Sequence, residues 1–147
     1  MQKFIGTKII KAEPMTRSEY NQYRGWQIPE NENPADEGYH VVYPDGYESW
    51  CPKKQFDEAY RRIRRLTFGI AIELLKKGKK VARQGWNGKG MYLFLSPKLG
   101  CQMYEKFTGE RINDLQEFIV MKTADGTLIP WLASQTDMLA EDWMLVE

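Results

Sequence analysis

Apolar residues recur at three- and four-residue spacing in two stretches of this chain, and at shorter spacing in several others. Phe56, Ala59, Tyr60 and Ile63 fall at i, i+3, i+4 and i+7, which predicts an amphipathic helix entered at Pro52. Phe68, Ala71, Ile72 and Leu75 form a second stripe, with Thr67 as its N-cap and Gly78 as its left-handed stop. Thr16 and Glu19 have the spacing of a capping box, so a short helix is expected from there to Gly25. Strands are expected over residues 4–12, 39–43, 47–50, 80–84, 91–95, 117–123, 127–132 and 143–146. Turns are expected at Pro44-Asp-Gly46 and Ala124-Asp-Gly126. Residues 136–140 read as one turn of helix with Thr136 or Asp137 as its cap. Residues 27–37 are a polar loop, and 96–116 show no period and read as an excursion.

Strands joined by tight turns and interleaved with a few helices predict an α+β protein with antiparallel sheet. The division expected is an N-terminal module, residues 1–65, followed by a second domain, residues 66–147. The chain's 147 residues suffice for one ordinary domain or two small ones.

Composition narrows the function. A net charge of +1 supplies no global field, so neither polymeric nucleic acid nor an anionic membrane is an expected partner. The longest apolar runs fall far short of the roughly 20 residues that span a bilayer. With two distant cysteines, Cys51 and Cys101, and a single histidine, His40, the ligands of a zinc site cannot be gathered. No metal and no cofactor is expected, and with no signal peptide the chain reads as reduced and cytoplasmic. Arg61, Arg62, Arg64 and Arg65 suit a basic helix end or a phosphate patch, as do Lys76, Lys77, Lys79 and Lys80. Aromatics reach 13%, more than so small a core needs, so some rings are expected at an interface or a ligand site.

Two loops carry candidate chemistry. Gly85-Trp-Asn-Gly-Lys-Gly90 presents Trp86, Asn87 and Lys89 from a turn that three glycines allow to bend tightly. Its spacing is not that of a phosphate-binding P-loop. Trp86 either faces a ligand or tucks into the core. Pro130-Trp-Leu-Ala-Ser-Gln-Thr-Asp137 offers Trp131 for stacking and Ser134, Gln135, Thr136 and Asp137 for hydrogen bonds. No catalytic residues are assigned: no Ser–His or Cys–His pair can be built around His40, and nothing marks two of Asp137, Glu141 and Asp142 as an acid–base pair.

The segment from Leu66 to Met91, with Met121–Gly126 and Pro130–Trp143, resembles a phage and prophage family, the Thoeris anti-defence proteins of the second type. The resemblance covers residues 66–146. Residues 1–65 resemble an N-terminal extension of phage-encoded relatives, through Ile5-Gly-Thr-Lys8, Glu13-Pro-Met-Thr-Arg17 and Asp45-Gly-Tyr-Glu-Ser-Trp50. The resemblance implies a non-enzymatic sponge that captures a nucleotide immune signal in the cytoplasm of the bacterial host. That signal is a cyclic ADP-ribose isomer or, for some relatives, a cyclic dinucleotide. It also implies a homotetramer with ligand pockets between subunits. In that frame Trp86 or Trp131 stacks on a purine, Arg83 or Lys89 meets phosphate, and Asn87, Ser134, Gln135 and Asp137 meet ribose hydroxyls. Two other readings compete: a phage interaction or accessory protein with no small ligand, and a nucleotide-cleaving enzyme.

Overall fold

The structure, a computed structural model, describes all residues except Asn87, 97–100 and 113–115, and the side chains of residues 101–103. Residues Met1–Arg61 form one compact unit and Arg62–Glu147 another. Every strand pairing between named strands is antiparallel and helices pack beside the sheets, so the class is α+β, as the alternation of turns, strands and helical stripes predicts.

The first unit holds β1 (Lys11–Pro14), α1 (Arg17–Arg24), β2 (Gly38–Val42), β3 (Glu48–Pro52) and α2 (Lys53–Ala59), with sheet order β1-β2-β3. The capping box forms: the Thr16 hydroxyl accepts from the Glu19 amide and Glu19 accepts from the Thr16 amide. The helix ends in Gly25 at φ 70°, a left-handed conformation that costs glycine nothing. Tyr39 and Tyr20 show which helix covers which face. Phe56 of α2 stacks on Tyr39 at 3.9 Å, while Tyr20 of α1 lies 5.6 Å from the ring of His40. Neighbouring residues of a strand point to opposite faces, so α1 and α2 cover opposite sides of this sheet. His40 is buried between two carboxylates, with Nε2 2.8 Å from Glu48 and Nδ1 3.3 Å from Glu13. The Tyr23 hydroxyl donates to the same Glu48.

Two expectations fail here. The strand over 4–12 shrinks to Lys11–Pro14, and Phe4 and Ile5 stand exposed. The partner strand ends at Val42, where the chain turns back through Tyr43, whose amide bonds the Tyr47 carbonyl, so no backbone remains to pair with residues 4–10. The helix after Pro52 stops at Ala59, before Ile63, because Tyr60 is extended (φ −119°, ψ 149°). The arginine run therefore lies beyond a helix rather than at its end. Arg61 alone reaches back, donating to the Asp57 and Tyr60 carbonyls that the helix end leaves open.

The second unit holds α3 (Phe68–Lys76), β4 (Lys80–Arg83), β5 (Tyr92–Leu95), α4 (Cys101–Thr108), β6 (Ile119–Lys122), β7 (Leu128–Pro130), α5 (Gln135–Met138) and β8 (Trp143–Val146). The sheet runs β7-β6-β5-β4-β8. Register places Val81 beside Leu93 and Leu145, and Leu93 beside Met121, one apolar row across four strands. That row packs with Leu66, Ala71, Leu74, Leu75 and Trp143 into a single core under α3. Thr67 has N-cap backbone geometry, but its hydroxyl makes no capping bond. Gly78, at φ 72°, follows α3 as expected.

The region read as an excursion contains α4, an eight-residue helix. The cap of α5 is Ser134, two residues before Thr136 and three before Asp137. Its hydroxyl accepts from the Asp137 amide, and Asp137 occupies the N3 place of a capping box. No helix among the described residues is long and apolar enough to cross a membrane.

Candidate functional site

The first tryptophan loop follows β4 and the second follows β7, which runs opposite to β4. The chain beyond the second loop then returns, so that β8 starts beside the end of β4, with Trp143 opposite Arg83. The two loops' tryptophans meet around a third. Trp143 is fully buried, with ring centres of Trp86 at 5.7 Å and Trp131 at 6.0 Å, both edge to face. Trp86 and Trp131 touch each other at 6.4 Å, and Phe68 of α3 completes the group, 5.4 Å from Trp143. Edge-to-face contacts of this kind are the favoured arrangement of aromatic quadrupoles. Trp86 and Trp131 are only half-buried, so each spends one face on the core and keeps part of its ring for solvent. Trp86 thus packs on the core, as one of its two readings expected, with part of its surface left open.

The polar side of this junction is an ion-paired chain. Arg83 Nε donates to Asp142 Oδ1 at 2.8 Å, and Arg83 Nη1 donates to Asp137 Oδ1 at 2.9 Å. Asp142 Oδ2 accepts from the Gly85 amide at 3.0 Å. Asp137 Oδ2 accepts from the Ser134 amide at 3.1 Å and from its hydroxyl at 2.6 Å. The Trp143 indole donates to the Asp137 carbonyl at 2.9 Å.

Two of the arginine nitrogens expected to meet phosphate are therefore already held by carboxylates. Both Asp137 oxygens accept from protein donors. The Ser134 hydroxyl also lies 2.9 Å from the Thr136 hydroxyl, so the cap engages Thr136 too. Gln135 and Lys89 are exposed, and Asn87 lies outside the described residues. In the first loop Gly88 packs so closely on Met91 and Ala124 that a Cβ there would overlap the Met91 side chain. The Lys122 ammonium donates to the Gly90 carbonyl at 3.2 Å, tying the loop's far end to β6.

Sequence reading passed over two members of this site. Asp142 was weighed only as one acid among three, and Trp143 only as the start of a strand. Their roles come from β8 pairing with β4, which brings residues 59 positions apart together. No local pattern announces that. A surface cavity of about 260 Å³ is lined by Gly78, Lys80, Tyr92, Phe94 and Leu95, none of them a residue of either loop. Lys80, Tyr92 and Phe94 alternate with the core residues Val81 and Leu93, which puts them on the sheet face turned away from α3.

The carboxylates titrate accordingly. Burial alone would raise Asp137, but hydrogen bonds from Ser134 and Arg83 outweigh it and hold its carboxyl below 3.8. Asp142 is lowered chiefly by its hydrogen bond from Arg83, against burial. Groups depressed in the folded state contribute stability that is fully present above their unfolded value and is lost as pH falls through the folded one. The second unit is therefore expected to lose stability as pH drops below about 4. Urea midpoints measured from pH 6 to 2 check this. The Asp137→Asn, Asp142→Asn double variant is expected to show a flatter acid limb, and an unchanged slope would refute the assignment.

Residues 66–146 match the model of a Thoeris anti-defense 2-like domain. Thoeris anti-defense 2 of Bacillus phage SP01 is 48% identical over 86 residues, an alignment covering 56% of this chain and 96% of that protein. The matched segment carries both tryptophan loops, α3 and every strand of the five-stranded sheet. With the family model matching more than half of its residues, the chain belongs to the Thoeris anti-defense 2-like family.

Proposed function

We propose that this protein counters the Thoeris defence of a bacterial host by binding a nucleotide immune signal and holding it unchanged. The observation that carries this reading is the convergence of the half-buried rings of Trp86 and Trp131 beside polar loop residues. Ring faces suit the purine of a cyclic ADP-ribose isomer, and stacking on an aromatic side chain is worth about 1–3 kcal/mol per base. Lys89 is exposed on the first loop and supplies charge for phosphate, while Gln135 and Thr136 supply hydrogen bonds for ribose. Cyclic dinucleotides offer the same chemistry and are the second class of ligand to test.

Leu132 within the second loop and Leu139 just after it have 92% and 82% of their surface open, and Leu128 of β7 is 58% open. Apolar surface of this kind beside a site suits a subunit contact. It supports a homotetramer in which the pocket is closed by a neighbouring copy, as the family resemblance implies. The protein acts in the cytoplasm of the infected cell, as a trap and not as an enzyme. Among the described residues, His40 bonds two carboxylates and no hydroxyl or thiol, so no activated nucleophile is built on it.

A trap that outcompetes a host receptor for scarce signal needs a dissociation constant on the order of nanomolar, about 12 kcal/mol. The test incubates the protein with a panel of cyclic ADP-ribose isomers and cyclic dinucleotides. Depletion from the filtrate and intact recovery after heating are expected, with light scattering giving a tetramer. A hydrolysed product that grows with time and protein would identify an enzyme. Full recovery of every compound in the filtrate would end the sponge reading.

A further inference from the structure

Arg83 and Asp142 have a different role from the one their charges suggest. The bonds described above form one unbroken path: the Gly85 amide to Asp142, Asp142 to Arg83, Arg83 to Asp137, and Asp137 to the amide and hydroxyl of Ser134. One end of the path is the base of the Trp86 turn. The other is the cap of α5, three residues after Trp131. The three charged side chains keep only 21%, 31% and 14% of their surface exposed, so solvent screens the pairing poorly. Backbone reinforces it at one end, where the Gln84 amide donates to the Asp142 carbonyl at 3.0 Å.

Resting on the sponge reading, we propose that Asp142, acting through Arg83, is a positioning residue that fixes the two tryptophan loops in a single arrangement. Two loops that moved independently would each have to be ordered when ligand binds, and that ordering weakens affinity. A prebuilt brace removes the cost. The planar guanidinium suits this task because it meets two carboxylates in a fixed geometry, which a lysine ammonium does not.

A purely electrostatic role makes the opposite prediction. The strut has two carboxylates for one guanidinium, a net negative charge beside a site for an anion. If charge alone mattered, Asp142→Asn would strengthen binding of an anionic ligand. As a brace it must weaken it, because an amide cannot accept from both Arg83 and the Gly85 amide with its two ends. The expected order of affinity is wild type, then Asp142→Asn, then Asp142→Ala, the last weaker by tenfold or more. Arg83→Lys is expected to fall between wild type and Asp142→Ala.

The measurement is calorimetry with the cyclic ADP-ribose isomer that wild type holds most tightly, below the unfolding transition of every variant. Amide hydrogen exchange on the ligand-free proteins accompanies it. In Asp142→Ala, exchange is expected to quicken together at Gly85 and Trp86 and at Asp137 and Met138, while Val81 and Leu93 keep wild-type protection. Exchange that quickens in the first loop alone would overturn the brace, as would equal or tighter binding by Asp142→Asn. If wild type binds none of the compounds, the sponge reading fails, and the exchange result still decides whether the two loops are coupled.

Discussion

Trp143→Ala is expected to remove about 3–5 kcal/mol from the stability of the second unit, the range for truncating a buried large aromatic. Trp143 has no exposed surface, and its ring touches Phe68, Trp86 and Trp131. Its indole also satisfies the Asp137 carbonyl. Truncation opens a cavity at the centre of the aromatic group and removes the indole donor to a carbonyl that keeps a longer bond from the Ala140 amide, so the cavity is the main penalty. Domains are typically stable by about 5–15 kcal/mol, so the variant is expected to be marginal or unfolded at ambient temperature. Urea denaturation followed by circular dichroism measures the loss. Trp143→Phe keeps most of the apolar volume and loses the indole donor, so it is expected to fall between the two. A loss under about 1 kcal/mol for the alanine variant would mean that the ring is not part of a close-packed core.

Trp86→Ala is expected to act on two quantities at once. The ring lies edge-on to Trp131 and Trp143, so its removal costs about 2 kcal/mol of stability, less than for Trp143 because the ring is only half-buried. Its open face is the stacking surface of the proposed site, so affinity for the signal nucleotide is expected to fall by more than tenfold, or about 1.4 kcal/mol. The two effects separate experimentally. Denaturation midpoints give the first, and calorimetry at a temperature where the variant remains folded gives the second. Unchanged affinity with a lowered midpoint would make Trp86 a packing residue alone. Lost affinity with an unchanged midpoint would mean that its contacts with Trp131 and Trp143 contribute nothing to folding.

The helices whose ends are written in local chemistry were legible in the chain. The Thr16–Glu19 box forms because both bonds lie within one turn, and Gly25 ends the helix because a left-handed residue is needed at that place. Of the stripe Phe68, Ala71, Ile72 and Leu75, Ala71 and Leu75 are buried and Phe68 and Ile72 half-buried against the same core, which Leu74 joins from outside the stripe. The hairpin around Asp125 forms for the same reason. The Thr123 amide bonds the Thr127 carbonyl, and Asp125 accepts from the Thr127 amide inside the turn. Each of these depends on residues within a few positions of one another.

The misreadings share the opposite property. Residues 4–10 have strand-forming residues but no strand, because pairing needs a partner and β2 ends at Val42. Ile63 fits the periodicity of α2, yet the helix has already ended at Ala59. The amide of Leu145 in β8 instead bonds the Ile63 carbonyl, a contact across more than eighty residues. The cap of α5 lies two or three residues before the expected one because two good capping residues, Thr136 and Asp137, follow Ser134. Which of them caps depends on where the chain leaves β7, and Trp131 is held there by its amide bond to the Ile119 carbonyl.

The same division runs through the candidate site. Composition and spacing marked Trp86, Trp131, Ser134 and Asp137 as aromatic and hydrogen-bonding residues on two loops. They were also enough to place the chain among α+β proteins and, by resemblance, in its family. They could not assign a partner to any of those side chains. Arg83 looked like a free cation for phosphate because in the sequence nothing acidic lies near it. Folding sets β8 beside β4, brings Asp142 and Asp137 to within 3 Å of its guanidinium, and turns it into a link between the loops. Trp143 likewise has no local mark of a core residue, and is buried only because both loops and α3 close over it. Local propensities act over a few residues, while strand pairing and desolvation act between residues distant in the chain. For this protein the identity of the loops was therefore a property of sequence, and their mutual arrangement was decided by the order of strands in the sheet.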